Sequence, residues 1–263
     1  IIVSYYWLES MDDKKEWQMK NRGKLTISNE YFFNNANVIM NHDVGFRNTL
    51  IEGIVGEINI KTKIRKKGSL PYKGVEIGEL NKCLRESLSE SNQFLFEVYN
   101  EDGIFYTSNA KKGFDFAKID REYNIINLWN LCFGKRGLYN GDLHWKSVIE
   151  SNDFMNEVAA LKGYDCNSFM QGVNQDPIKN SLTILGELQF GNWGLVYRDF
   201  FKLLHADTNS GVDLFVYITA DKNLLNYASD GIVSYEATIE VLKEFSNLIK
   251  VPVWVIGLDL EVY

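Results

Sequence analysis

The C-terminal third of the chain alternates between two kinds of apolar pattern, and this alternation limits the fold more than any other feature. Ser181 to Phe190 is a short apolar, β-branched run of the kind that fills a buried strand. From Trp193 to Leu204 the period changes: Trp193, Val196, Tyr197, Phe200, Leu203 and Leu204 line one face of a helix, with Arg198, Asp199 and Lys202 on the other. Val212 to Thr219 (VDLFVYIT) is again strand-like, Tyr235 to Leu248 is helical, and Val251 to Leu258 (VPVWVIGL) is a further buried strand. Strands apolar on both faces need helices above and below them. The order strand, helix, strand, helix, strand therefore predicts an α/β fold with a central mixed or parallel sheet flanked by helices.

The N-terminal half reads as β-rich. IIVSYYWL, KLTIS and an apolar stretch from Thr49 to Ile60 suggest short strands and turns. A basic run follows, Lys61, Lys63, Arg65, Lys66 and Lys67, closed by Gly68. Leu80, Leu84 and Leu88 recur at every fourth position and predict a helix over Glu79 to Leu88. Phe94 to Tyr99 and Gly103 to Thr107 form a hairpin around Asn100-Glu101-Asp102-Gly103, since Asp-Gly is a strong turn signal. Phe114 to Asp142, rich in aromatics and glycine, follows no single period, and Ser147 to Leu161 predicts one helix.

Charge and cysteine usage narrow the function. The 263 residues carry 28 Lys+Arg against 35 Asp+Glu, a formal net charge of -7. That balance argues against a protein that coats nucleic acid through overall charge, but leaves room for an enzyme with clustered cations and metal-binding carboxylates. Cys83, Cys132 and Cys166 are widely spaced and form no CxxC pair, which fits a reducing cytoplasm better than a disulfide framework. No signal-peptide pattern is evident, and no run approaches the roughly 20 apolar residues of a membrane helix. His42, His144 and His205 lack zinc spacing, and no phosphate-binding glycine loop or GxSxG elbow is present.

The chemistry concentrates in Asp176-Pro-Ile-Lys-Asn-Ser-Leu-Thr-Ile-Leu-Gly-Glu187-Leu-Gln189-Phe-Gly-Asn192. Glu187 and Gln189, two apart on a strand, emerge on one face, among the apolar Leu185, Leu188 and Phe190. A carboxylate there is costly unless it is paired or bound to a cation. Asp176 lies upstream across a bend, and two converging carboxylates supply the oxygen ligands that Mg²⁺ takes together with water. On these residues alone, E-x-Q on a strand is a weak pattern, and a structural or edge-strand glutamate is the expected reading.

A family resemblance turns the choice toward the metal. Gly186-Glu-Leu-Gln-Phe-Gly-Asn-Trp-Gly-Leu-Val-Tyr-Arg-Asp-Phe-Phe-Lys202 resembles the active-site strand and following helix of type II restriction endonucleases of the BglII and BstYI kind, and more distantly BamHI. Lys67-Gly-Ser-Leu-Pro-Tyr-Lys-Gly-Val75, followed by Leu80-Asn81 and Arg85-Glu86-Ser-Leu88, resembles their upstream segment. Val212 to Ile218, Asp230-Gly-Ile-Val-Ser-Tyr-Glu236 and VPVWVIGL are similar, in the same order, to the family's later elements. The resemblance runs from about Lys61 to the end and breaks between about Asn100 and Asp165. It implies one nuclease domain over 1–263, with 1–60 an N-terminal extension or first core elements, 100–165 an insertion, and 166–263 the catalytic sheet and helices.

The roles that follow are those the resemblance implies. The fold is restriction-endonuclease-like, of the PD-(D/E)XK superfamily. Glu187 and Asp176 would hold Mg²⁺ beside the carbonyl of Leu188, with Asp165 the alternative upstream acid. Gln189 stands where many members of the wider fold have lysine, so metal, phosphate or another carboxylate must activate the water. Glu157 is either a further acid or part of a solvated helix face. Asn192 is either a base reader in the major groove or a helix N-cap. Ser229, Asp230, Gly231 and Ser234 match a base-reading loop, or form a polar turn before a helix. Arg198 would contact DNA, and Arg65, Lys66 and Lys67 its phosphates, unless the run is simply solvated.

The expected function is site-specific, Mg²⁺-dependent hydrolysis of duplex DNA to 5′-phosphate and 3′-hydroxyl ends, by a soluble cytoplasmic homodimer matched to a palindromic site. The alternatives are a repair or defence nuclease of looser specificity, a DNA-binding protein that has lost cleavage, and an aromatic-rich carbohydrate- or protein-binding β module fused to an α/β domain.

Overall fold

The computed structural model describes residues 22–67, 70–107, 113–163, 171–228 and 231–263. In chain order the elements begin β1 (Arg22–Phe33), α1 (Ala36–His42), α2 (Val44–Ile54), β2 (Gly56–Asn59), β3 (Thr62–Lys67), β4 (Leu70–Val75) and α3 (Ile77–Ser89). They continue with β5 (Leu95–Glu101), β6 (Ile104–Thr107), β7 (Phe114–Lys118), α4 (Arg121–Phe133), α5 (Gly141–Ser151) and α6 (Asp153–Lys162). The last are β8 (Ile184–Gln189), α7 (Leu195–Ser210), β9 (Leu214–Ala220), α8 (Lys222–Tyr227), α9 (Tyr235–Glu244) and β10 (Val253–Val262). The chain divides into two compact units. One holds the residues up to Gln93 with Glu187–Phe201 and Val216–Tyr263; the other holds Phe94–Gly186 and Lys202–Phe215. β8, α7 and β9 each contribute to both.

In the first unit the strand order is β2-β1-β10-β9, with the C-terminal half of β8 beside β9. β1 runs antiparallel to β10 from Gly23 opposite Val262 to Phe33 opposite Val253, and a bulge between Ile27 and Asn29 shifts the register. α7 links β8 to β9, and α8 with α9 link β9 to β10. Helical crossovers of this kind belong to the α/β class, and with the antiparallel β1 they make a mixed sheet. Every residue of β8 and β9 is buried, as the unbroken apolar runs predict. β3 and β4 pair as a separate two-stranded ribbon that carries the basic run.

In the second unit β5 pairs antiparallel with β6 and with β7, and β7 with the first half of β8. The β5–β6 hairpin turns at Asp102 and Gly103, both at positive φ, as the Asp-Gly signal predicts. Its core gathers Phe114, Phe116, Trp129, Phe133 and Trp145. Gly186 sits against Phe116 so closely that a Cβ there would lie 2.1 Å from the ring.

Several expectations need correction. Thr49 to Ile54 is not strand but the end of α2, whose Phe46, Leu50 and Ile54 are buried at every fourth position and whose N-cap is Asp43. α1 precedes it. The single helix expected over Ser147 to Leu161 is two, α5 and α6, broken at Asn152. There the Asn152 carboxamide accepts from Thr107 N at 2.9 Å and donates to Val148 O at 3.1 Å, a tertiary task that ends the helix. Trp193 lies ahead of α7 and is 53% exposed, not on its buried face. Asp199, assigned to the polar face, is fully buried. The segment IIVSYYWL lies outside the described residues.

Candidate active site

β8 presents Leu185, Glu187 and Gln189 on one face and Ile184, Gly186 and Leu188 on the other. Glu187 is 3% exposed and Gln189 is nearly as buried. Both belong to the first unit, where the N-terminal half of α7 and the strand β9 supply their polar company.

That company centres on Asp199. Gln189 Nε2 donates to Asp199 Oδ2 at 2.7 Å, and the Gly191 N–H donates to Gln189 Oε1 at 3.0 Å. Arg198 donates to Asp199 Oδ1 through Nε at 3.1 Å and Nη2 at 2.9 Å, and the Tyr217 hydroxyl approaches Oδ2 at 3.4 Å. A buried carboxylate is tolerated when charged and neutral donors converge on it in this way. Burial acts to lower the Arg198 pKa, but the hydrogen bonds and charge of Asp199, together with the charge of Glu187, outweigh it and raise it. Burial first, then the nearby Asp199 and Glu187 charges, pushes the Tyr217 hydroxyl well up. Glu187, Arg198, Asp199 and Tyr217 thus form one electrostatic cluster.

Gln189 therefore has a defined job. Its amide bridges Asp199 and the backbone after the strand, and an amide has no proton-accepting nitrogen with which to act as a base. Arg198, 46% exposed at the side chain, brings a positive charge that the Asp199 and Glu187 carboxylates both feel. Asp199 is the residue that periodicity missed. A helix wheel sees only that an acid follows an arginine, whereas its burial is set by Gln189 and Tyr217 on other elements.

The two expected recognition segments come together. Asn192 and Ile232 form an antiparallel bridge, Trp193 N donates to Gly231 O at 2.9 Å, and Val233 N donates to Gly191 O at 2.9 Å. Thr219 of β9 ties the same loop down by donating to Val233 O at 3.0 Å. The Asn192 side chain is exposed and accepts from Gly194 N at 2.9 Å, a turn that precedes α7 rather than a cap on it. Gly231 takes positive φ, and Ser234 Oγ accepts from Ala237 N at 3.1 Å as the N-cap of α9. Ser229 and Asp230 lie outside the described residues.

The remaining candidates are placed as follows. Asp176 is exposed in the second unit, on a segment without regular structure. The neighbouring Gln175 is clasped by Asn130 of α4, which donates to its carbonyl at 2.8 Å and accepts from its N–H at 2.7 Å. Further along, Asp120 Oδ2 accepts from Asn180 N at 2.6 Å and Ser181 N at 3.1 Å. Asp165 lies outside the described residues. Glu157 is exposed and faces Arg121 at 3.7 Å, which favours the solvated-face reading. Arg65, Lys66 and Lys67 are on β3, their side chains outside the described residues. Lys61 and Lys63 of the same run pair with Glu79 and Glu76, each at 3.4 Å.

Among the described residues no group of three or more acidic, histidine or cysteine side chains converges in a metal-holding cluster. Mg²⁺ is commonly held by one or two carboxylates with carbonyl and water oxygens, so the buried Glu187 and the backbone carbonyl of Leu188 are donors of the right chemistry. No helix among the described residues is long and apolar enough to cross a membrane.

Comparison with known proteins gives this strand a lineage. The structure of restriction endonuclease BglII complexed with a DNA 16-mer is similar at 14% identity, covering 87% of this chain and 74% of that one, with a TM-score of 0.46. Free BglII is similar at 13% identity over 87% and 77%, with a TM-score of 0.39. Among curated protein sequences none matches. The family model described as restriction endonuclease BglII/BglIII matches residues 28–258, which takes in the Glu187 strand, the Asp199 network and the paired loops. A match over that much of the chain places it: this protein belongs to the BglII/BglIII family of restriction endonucleases.

Proposed function

We propose that this family member is a site-specific type II restriction endonuclease that hydrolyses double-stranded DNA with Mg²⁺. The observation that carries the reading is the buried Glu187 on β8, set in one electrostatic cluster with Arg198 and Asp199. Glu187 and the Leu188 carbonyl would hold the metal, with Asp176 the upstream acid. When bound, Mg²⁺ lowers the pKa of a water and offsets charge on the scissile phosphate.

The chain's own residues do the rest. Asp199 grips Arg198 by Nε and Nη2, which orients the guanidinium with part of its surface in solvent, suited to a phosphate oxygen. Gln189 holds the strand end to α7 and takes no proton. Tyr217, with its raised pKa, stays protonated at neutral pH and serves Asp199 as a donor. The exposed Asn192 carboxamide and the Gly231 loop would read base edges, a role that their pairing through Asn192 and Ile232 supports. A homodimer would set two such sites against a palindrome. Free thiols at Cys83 and Cys132 support action in the cytoplasm.

The test is to incubate the protein with plasmid and Mg²⁺ beside Glu187→Ala. Discrete fragments from the parent alone support restriction, and a smear indicates a nuclease without site preference. A gel shift without cutting in either sample would sink the enzymatic reading. Asn192→Ala should lower specific cleavage more than non-specific binding; equal loss of both would reduce Asn192 to a turn residue.

A further inference from the structure

The stretch between α4 and α5 is the end of the glycine- and aromatic-rich segment Phe114 to Asp142 that fits no period, and nothing in the site above uses it. Its backbone is closely fixed. Leu138 N donates to Leu131 O at 3.0 Å, Gly137 N to Gly134 O at 3.0 Å and Gly141 N to Leu138 O at 3.1 Å. Lys135 N donates to the Asn174 side chain at 2.8 Å. A Cβ on Gly137 or Gly141 would lie 2.6 or 2.0 Å from the Cys132 carbonyl oxygen, so the loop lies directly on the end of α4. Beneath it Phe133 and Trp145 pack with ring centroids 5.9 Å apart.

What this rigid loop presents is unusual for a surface. Tyr139 is 100% exposed, Leu143 64% and Leu138 42%. Single exposed apolar side chains need no explanation, but three within six residues, two on the loop and Leu143 in the first turn of α5, form a patch. Lys135 and Arg136 flank it and are exposed. Lys61, Lys63, Lys146, Lys162 and Lys179 each face a carboxylate, whereas neither Lys135 nor Arg136 does so among the described residues. The one acid in the stretch, Asp142, sits in the first turn of α5, where it complements the helix dipole.

We propose that residues 134–143 are a DNA-contacting loop, with Lys135 and Arg136 on backbone phosphates and Tyr139 with Leu138 against the sugars and base edges of a groove. Two uncommitted cations beside an exposed aromatic, in a chain of net charge -7, complement a polyanionic backbone whose sugars and groove edges are partly apolar. The hydrogen bonds that hold the loop's backbone reduce the conformational entropy left to lose on contact. The proposal rests on the reading above that duplex DNA is the substrate.

The experiment measures duplex binding by fluorescence anisotropy across a KCl series, in the full chain carrying Glu187→Ala so that nothing is cut. Adding Lys135→Ala and Arg136→Ala together should weaken binding at least tenfold and flatten the salt slope by about 2. Tyr139→Ala should weaken it severalfold with the slope unchanged, and Tyr139→Phe should restore most of the loss. Sedimentation velocity should show the same oligomeric state throughout. Affinities and slopes within twofold of the parent overturn the loop proposal and leave the nuclease reading standing. Weakened binding that tracks dissociation into smaller species would make the loop a contact between copies and overturn it too. A parent that binds no duplex removes the function reading and the loop proposal with it.

Discussion

Glu187 and Asp176, the two carboxylates proposed to share a metal, are held by opposite means. Glu187 is fixed by burial: every side chain of β8 is enclosed, and the neighbouring polar groups are locked to Asp199. Asp176 is exposed, on backbone with no strand or helix, and its segment is held by hydrogen bonds of Gln175 with the Asn130 side chain and of Asn180 N to the Asp120 carboxylate, at the two ends of α4. The first arrangement is set by packing and the second by polar pairing. They should therefore respond to mutation in different ways, one coupling stability to activity and the other separating them.

The largest effect is expected at Glu187 itself. Glu187→Ala should reduce plasmid cleavage roughly a thousandfold while duplex binding persists in the absence of metal; comparable cleavage by the variant would place the chemistry elsewhere. Next comes Asp199→Ala, which strands Gln189, Arg198 and Tyr217 donors at once. It should lower stability by about 2–4 kcal/mol and cleavage with it, read by chemical denaturation and plasmid nicking. An unchanged unfolding midpoint would show that packing alone fixes the strand. Asp176→Asn should do the reverse, costing under about 0.5 kcal/mol as an exposed change while cleavage falls by two orders of magnitude. If cleavage holds, the upstream acid lies elsewhere. Asn130→Ala should remove about 1–2 kcal/mol and raise the Mg²⁺ concentration needed for half-maximal cleavage; a metal requirement identical to the parent's would uncouple α4 from Asp176.

The smallest effect is in alkali. The Tyr217 pKa is raised in the fold, so its neutral form is favoured there. Its contribution is complete below the ordinary tyrosine pKa of about 10 and is lost as pH rises beyond that value. Stability should therefore fall above that pH, and Tyr217→Phe should flatten this limb of the curve. A parallel fall in the variant would assign the loss to other groups.

The same contrast explains what was legible in the sequence. β8, β9 and β10 could be read because strands buried on both faces leave unbroken apolar runs, and α3 because Leu80, Leu84 and Leu88 mark its stripe. Glu187 stood out as a charge inside such a run. Asp199 could not be seen, because its neutralising partners Gln189 and Tyr217 come from other elements. The break at Asn152 carries no proline or glycine and exists to serve Thr107 across the fold. The helical period of α2 depends on Phe46 and the Asp43 cap, which lie ahead of the apolar stretch that starts at Thr49.

The pairing of β1 with β10 has a consequence for synthesis. Ser28 meets Gly257 across 229 residues of chain, so on a ribosome adding roughly 5–20 residues per second one side of β1 waits about ten seconds to most of a minute for its partner. During that interval the strand is an open edge, and the sheet that frames Glu187 cannot close. The nascent chain thus cannot complete the sheet that carries its proposed cutting site before β10 emerges. A chain halted before β10 should be recovered as an aggregation-prone species without cleavage, not as a partly active enzyme.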